Sequence, residues 1–189
     1  MSSASALAPS FLHRLRSAEA APAVQAAAVV FFTLLTVAGA QVKLYLWEVP
    51  FTLQTAAVYG SGLFLGWRNG MLAQVLYLAL GLFLPVFAGD GFGPAYLFAA
   101  ASAGYLIAFP FVAALVGWAS QQWTGFVGSI LALLCGSAVL FTFGVTWLHE
   151  VAGHATWFES IDKGWLRFIP MDLAKLGSVA LIYAGLRRI

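Results

Sequence analysis

Charge is what this sequence lacks most. Only 8% of its 189 residues are Asp, Glu, Lys or Arg, against about 25% in a typical soluble domain. A water-soluble fold of this size cannot cover itself with so few polar groups, and 62% of the residues are hydrophobic. The composition is that of a membrane protein. The net charge of +2 is small and its carriers are scattered, which excludes a nucleic-acid partner. The single cysteine, Cys135, excludes an internal disulfide and a multi-cysteine metal site; in LALLCGSAV it reads as a small packing residue. No GxSxG elbow, phosphate-binding loop or zinc-ligand quartet occurs, so nothing in the chain can hydrolyse ATP.

The charge-free gaps count the helices. Residues 20–42, 49–67, 69–89 and 91–149 contain no Asp, Glu, Lys or Arg. A span needs about 20 apolar residues, and the last gap is long enough for two spans with a turn at Ser120-Gln121-Gln122. The runs are too long for barrel strands, and helices keep every backbone hydrogen bond inside the segment. The expected fold is an all-α membrane protein of six transmembrane helices, near 23–41, 51–67, 70–86, 95–119, 126–148 and 170–187. Residues 1–19 read as a flexible cytoplasmic tail and 20–189 as one six-helix domain. The alternative start is a secretory signal, with Arg14 and Arg16 before an apolar stretch that ends at Ala38-Gly39-Ala40.

With six helices both termini share a side. That side gathers Arg14, Arg16, Arg68, Arg187 and Arg188, against Lys43, Lys163 and Arg167 on the other. Positive residues favour the cytoplasm, so both termini are expected there. The loops near 42–50, 87–94 and 149–169 then face outward.

The last span, FIPMDLAKLGSVALIYAGL, crosses only if it carries Asp172 and Lys175. Three residues apart, they share one helix face. Each charge is costly inside a bilayer, and intramembrane ionisable residues are functional candidates by default; the plain alternative is a self-compensating interfacial pair. In the first outward loop, Gln54 and Thr55 bring polar groups into a helix start. Each needs a partner, either another helix or a ligand. In the second, Pro85, Gly89, Asp90, Gly91 and Gly93 make a tight, irregular turn. His149, Glu150 and His154 fail the zinc-protease spacing: residues five apart point about 140° away from each other on a helix of 3.6 residues per turn. A membrane enzyme built on that loop is the weaker alternative. Ala23 and Ala27, four apart, form a small-residue surface for close helix approach, either within the bundle or to a separate subunit.

The segments GAQVKLYLWEVPFTLQT, GLFLGWRNG, LYLALGLFLPVFAGDG, AGYLIAFP and MDLAK, in this order and spacing from Ala27 to Lys175, resemble the BioY family, the biotin-specific substrate-binding (S) component of energy-coupling-factor transporters. The resemblance implies a six-helix bundle of the S-component type in the cytoplasmic membrane. It implies capture of biotin from outside, no enzymatic activity and no cofactor. The partners implied are a membrane coupling subunit and cytoplasmic ATP-binding subunits, which alone use ATP. By the same resemblance Asp172 and Lys175 match the biotin-contacting pair of the last helix. Lys43 matches a basic residue before VPFTLQ, Gly89 to Gly93 match the glycine-rich loop, and Ala23 and Ala27 face the coupling subunit. Asp172 suits the ureido N–H groups, Lys175 the ureido carbonyl and Lys43 the valerate carboxylate, although the two lysines could exchange duties. Phe51, Phe87 and Tyr105 could cover the rings, and Gln54 and Asp90 complete the candidate set. The chain departs from the family pattern at Phe83, at Trp47 and Glu48, and at Ala100–Ala103. An S component for another vitamin is the main alternative.

Overall fold

The computed structural model describes residues 11–17, 19–45 and 48–187; Trp47 and Arg188 lie outside them, as do residues 1–10 of the expected tail. Among the described residues three short helices and five longer ones are connected by turns and one small ribbon. Within the expected tail, α1 (Phe11–Arg16) is helical, and its Leu15 is buried. Pro22 opens α2 (Pro22–Gln41), at the one helical position where its missing N–H is harmless. A ribbon of β1 (Lys43–Leu44) and β2 (Phe51–Thr52) follows, with Lys43 opposite Thr52.

The next run, α3 (Gln54–Gly81), is broken at Gly66, whose φ of 77° and ψ of 179° are not helical. That conformation is essentially reserved for glycine. The chain folds back there. A continuous helix would hold Gln54 and Tyr77 about 34 Å apart, yet the Tyr77 hydroxyl donates to Gln54 Oε1 at 3.0 Å. The arms, residues 54–65 and 67–81, touch closely enough that a Cβ on Gly70 would lie 2.8 Å from the Gly62 Cα.

After a 3-10 turn at Ala88–Asp90 come α4 (Gly93–Ala99), α5 (Ala103–Gln122), α6 (Gly125–Ala152), α7 (Trp157–Gly164) and α8 (Ile169–Leu186). Among the described residues four helical stretches are long and apolar enough to cross a membrane: Pro22–Gln41, Ala103–Gln122, Gly125–Ala152 and Trp157–Leu186. The two arms of α3 bring the helical passes through the bundle to six.

Three boundaries differ from those read in the sequence, each for a physical reason. The second helix is shorter than expected because the ribbon takes Phe51 and Thr52 and the break falls at Gly66, and the third stops early because the chain turns irregular after Gly81. That stretch is tolerated because Val86, Phe87 and Ala88 are buried in protein. The fourth helix is interrupted at Ala100, whose ψ of 150° is extended; its carbonyl accepts from the Ala103 N–H and from the Trp147 indole N–H, each at 2.9 Å.

The interior is packed through small residues and a few hydroxyls and amides, as membrane bundles are. A Cβ on Gly62 would lie 2.3 Å from the Ala113 carbonyl, so the first arm of α3 meets α5 backbone to backbone. Gln74 is fully buried, and its amide N–H donates to Ser61 Oγ at 3.0 Å and to Thr36 Oγ1 at 3.3 Å. The Thr33 hydroxyl donates to the Ala73 carbonyl at 2.9 Å, joining α2 to the second arm. Large apolar side chains such as Phe31, Leu34, Val127, Leu181 and Ile182 are exposed around the outside, where lipid replaces water.

Gly66→Ala should destabilise the chain by about 1–3 kcal/mol, since a Cβ there meets the Arg16 carbonyl and Gln121 Nε2 at 3.1 Å as well as a forbidden φ. Gly177→Ala, where a Cβ meets nothing within 4 Å, should be neutral or stabilising by up to about 1 kcal/mol. Thermal unfolding in detergent compares the two.

Candidate functional site

The first arm of α3 places Thr55 and Tyr59 against the start of α8, and Gln54 beside them. Pro170 sets the first turn of α8, and Asp172 sits in that turn, where the helix dipole favours a carboxylate. Asp172, Leu176, Val179, Ala180 and Tyr183 are the buried residues of α8, one inward face at helical spacing. The carboxylate is only 4% exposed. It accepts from the Tyr59 hydroxyl at 3.0 Å on Oδ1 and from the Ser137 hydroxyl at 2.5 Å on Oδ2. One acid therefore ties α8 to α3 and α6.

Lys175, one turn further, is half-buried. Its ammonium donates to Thr55 Oγ1 at 2.9 Å and stands 4.7 Å from the centre of the Phe51 ring. No salt bridge joins it to Asp172 among the described residues. The pair is therefore not self-compensating by direct contact. Each charge is held by neutral groups, and each keeps hydrogen-bonding capacity, since an ionised carboxylate has about four acceptor sites and an ammonium three donors.

Asp172, Lys175, Gln54, Thr55 and Tyr105 line one cavity of about 40 Å³, together with Ser102, Phe168 and the loop residues Val49 and Pro50. That is about the volume of one water in the liquid. Phe51 stacks on Phe168 at 5.3 Å, and Tyr105 donates its hydroxyl to the Gly164 carbonyl at 2.7 Å. The walls are thus aromatic and the polar groups few, the usual design of a small-molecule site. A ligand of drug-like size needs several hundred cubic ångströms, so the loop over the cavity has to move for one to enter.

That loop is held by charge. Glu48 Oε1 accepts from Lys163 at 3.0 Å and lies 3.5 Å from His154 Nε2. Lys163 also pairs with Glu159 at 2.9 Å. A hydrogen bond from its own backbone amide, with Lys163 and His154, holds the Glu48 carboxyl below the usual carboxylate range against the opposing effect of burial.

Other expected residues lie elsewhere. Lys43 is on β1 and outside the cavity lining. Phe87 is fully buried behind Tyr77, with ring centres 5.4 Å apart. Gly89 and Asp90 form the 3-10 turn, both with positive φ. Gly89 abuts Tyr45, where a Cβ would be 2.2 Å from the hydroxyl, and Asp90 is exposed. Ala23 and Ala27 are exposed on α2. His149 and His154 do meet, each with Nδ1 within 3.0 Å of Ser160 Oγ. Among the described residues no group of three His, Cys, Asp or Glu is placed to hold a metal. Tyr59 and Ser137 were not legible as site residues. The signals available were a tyrosine and a serine inside apolar runs, AAVYGSG and LLCGSAV.

Residues 13–189 match the BioY family model. The chain belongs to the BioY family. Among known BioY proteins, the biotin transporter BioY of Thermotoga maritima is 32% identical over 163 residues, covering 84% of this chain and 92% of that protein. The probable biotin transporter BioY of Pyrococcus horikoshii is 34% identical over 155 residues, covering 82% and 90%. The crystal structure of the S-component for biotin from an ECF-type ABC transporter superposes with a TM-score of 0.81 at 26% identity, covering 88% of this chain and 92% of that one. The six-pass bundle described above is thus the BioY fold, and the protein is a multi-pass membrane protein.

Tyr59→Phe and Ser137→Ala each remove one donor from the buried Asp172 carboxylate. Each should lower stability by about 1.5–3 kcal/mol, the value of a hydrogen bond to a charged group, read as a drop in melting temperature. Glu48→Gln should speed amide exchange across residues 48–52 at neutral pH. Because the Glu48 carboxyl is held low, the wild-type clamp is intact above the ordinary carboxylate value of about 4.3 and is lost only as pH falls through the depressed one. Wild-type protein should match the variant's exchange only in acid, after correction for the intrinsic pH dependence of exchange.

Proposed function

We propose that this chain captures biotin from outside the cell, with high affinity, as the substrate-binding component of an ECF-type transporter. It is a transport component and not an enzyme, as its family is. The observation that carries the ligand assignment is the Asp172–Lys175 face: a buried acid and a half-buried cation on one helix turn, opening on an aromatic cavity and not bonded to each other. Biotin has a ureido group with two N–H donors and one carbonyl acceptor. Asp172 accepts from the N–H side and Lys175 donates to the carbonyl, both charge-assisted and therefore strong. Phe51 and Tyr105 flank the rings, and Gln54 borders the same space. Lys43, on the ribbon beyond the cavity, takes the valerate carboxylate as the loop rearranges around the ligand. Phe87 acts from behind, through Tyr77 and Gln54, and the Gly89–Asp90 turn shapes the neighbouring wall.

Emptying a tight site is slow, and the chain has no nucleotide-binding loop of its own. In this reading the energy comes from cytoplasmic ATP-binding subunits through a membrane coupling subunit, which docks on α2 at Ala23 and Ala27. Both termini face the cytoplasm. The gathering of Arg14, Arg16, Arg68 and Arg187 at the end of the bundle opposite Asp172 supports that orientation.

Titration of the detergent-solubilised chain with biotin and a panel of other vitamins tests the reading. Tight biotin binding is expected, and stronger binding of another vitamin would reassign the site. Lys175→Ala should weaken biotin by about ten- to a hundredfold, the equivalent of one charge-assisted bond. Arg68→Ala is the control, exposed at the other end; Lys163 is unsuitable because it clamps Glu48. Equal effects of the two would make Lys175 structural. Replacing His149 and His154 with Ala should leave binding in place.

A further inference from the structure

At the end opposite Asp172 lies a second pocket, of about 480 Å³, lined by Leu12, Arg16, Ser120, Tyr183 and Arg187 among others. It carries two guanidinium groups. Arg16 and Arg187 both stand over the Tyr183 ring, 5.5 Å and 5.6 Å from its centre. Arg16 is fixed: one terminal nitrogen donates to the Tyr183 hydroxyl and the other to Ser120 Oγ at 2.8 Å. Its Nε is buried and has no acceptor among the described residues.

Neither arginine is in an ion pair among the described residues. The C-terminal ends of α5 and α8 meet here, and each offers about half a negative charge. Together they offset about half of the two cations. Among the described residues the pocket is left positive, with Arg16 Nε unused.

The pocket adjoins an apolar groove of about 910 Å³ that runs between α2, the first arm of α3 and α8, past Ala28, Phe32, Gly60, Phe64 and Ile182. Leu12 lines both. Trp67, Trp118 and Trp123 are exposed around the same end, where tryptophans mark the boundary between hydrocarbon and headgroups. A positive pocket at headgroup level, opening into a lipid-facing apolar groove, complements one kind of molecule: an acidic head on an acyl chain.

We propose that this pocket binds the phosphate of an anionic phospholipid through Arg16 and Arg187, with an acyl chain of the same lipid lying in the groove. The site is separate from the Asp172 cavity and does not depend on the ligand assigned there. The full-length chain, purified and delipidated in detergent, is titrated with dioleoyl phosphatidylglycerol while its melting temperature is followed. Anionic lipid that binds the folded state raises it by mass action; dioleoyl phosphatidylcholine and inorganic phosphate should leave it in place. Arg16→Gln and Arg187→Gln should each need about tenfold more phosphatidylglycerol for the same shift, the equivalent of one charge-assisted bond, and Arg68→Gln should behave as wild type. Arg187 is exposed near the chain end, so its variant remains informative where Arg16→Gln fails to give a monodisperse peak. Equal stabilisation by both lipids would mark the groove as ordinary lipid- or partner-facing surface. Equal stabilisation by inorganic phosphate would make the pocket a free-anion site. A wild-type response in Arg187→Gln would remove the arginines from it. Each of these three results overturns the proposal.

Discussion

The rest of the structure turns on one buried carboxylate. Asp172 sits where an unpartnered charge would cost several kcal/mol, and among the described residues no cation forms a salt bridge with it. Two hydroxyls, on Tyr59 and Ser137, hold it instead. Because those hydroxyls come from α3 and α6, the acid also fixes how three helices meet. The arrangement leaves its remaining lone pairs, and the neighbouring ammonium, turned toward the same small space. In the proposed reading stability and recognition share one group, and the hydroxyls stay in place while a ligand is gripped.

The arm of α3 that carries Tyr59 is braced because α3 doubles back. Without the reversal at Gly66, Tyr77 and Gln54 would be at opposite ends of a long rod. With it, the arms brace each other through Tyr77 and Gln54 and through Ser61 and Gln74. The close approaches at Gly62 and Gly70 explain the small residues of SGLFLGWRNG: there is no room for a Cβ where two backbones touch. Packing of this kind replaces the water-driven association that lipid cannot provide.

The membrane class, the number of passes and the Asp172–Lys175 face were legible because charge is rare here and each instance stands out against an apolar run. Gln54 was legible for the same reason. Tyr59 and Ser137 were not, since a lone hydroxyl in an apolar helix reads equally well as packing, and only the fold shows which acid it meets. The helix ends at Gly81 and Ala100 were also hidden. Neither is marked by charge, and both rest on tertiary contacts, the burial of Phe87 and the Trp147 indole bond to Ala100. Lys43, Phe87 and Asp90 show the converse: adjacency to a loop motif says little about whether a side chain reaches the cavity beneath it.

The short first arm of α3 has one more effect. Its twelve or so residues rise about 18 Å, whereas the 28 residues of α6 rise about 42 Å. The first arm ends and α6 begins at the Arg16 side, so Gln54 and Thr55 lie roughly 20 Å short of the far end of α6. A ligand that reaches Asp172 has left bulk solvent well behind. At that depth the local dielectric is low, and each bond to a charged group gains strength that the same bond at the surface would lose to water. In the proposed reading, recessing the acid by a missing stretch of helix makes few contacts hold tightly and ties slow release to the same geometry.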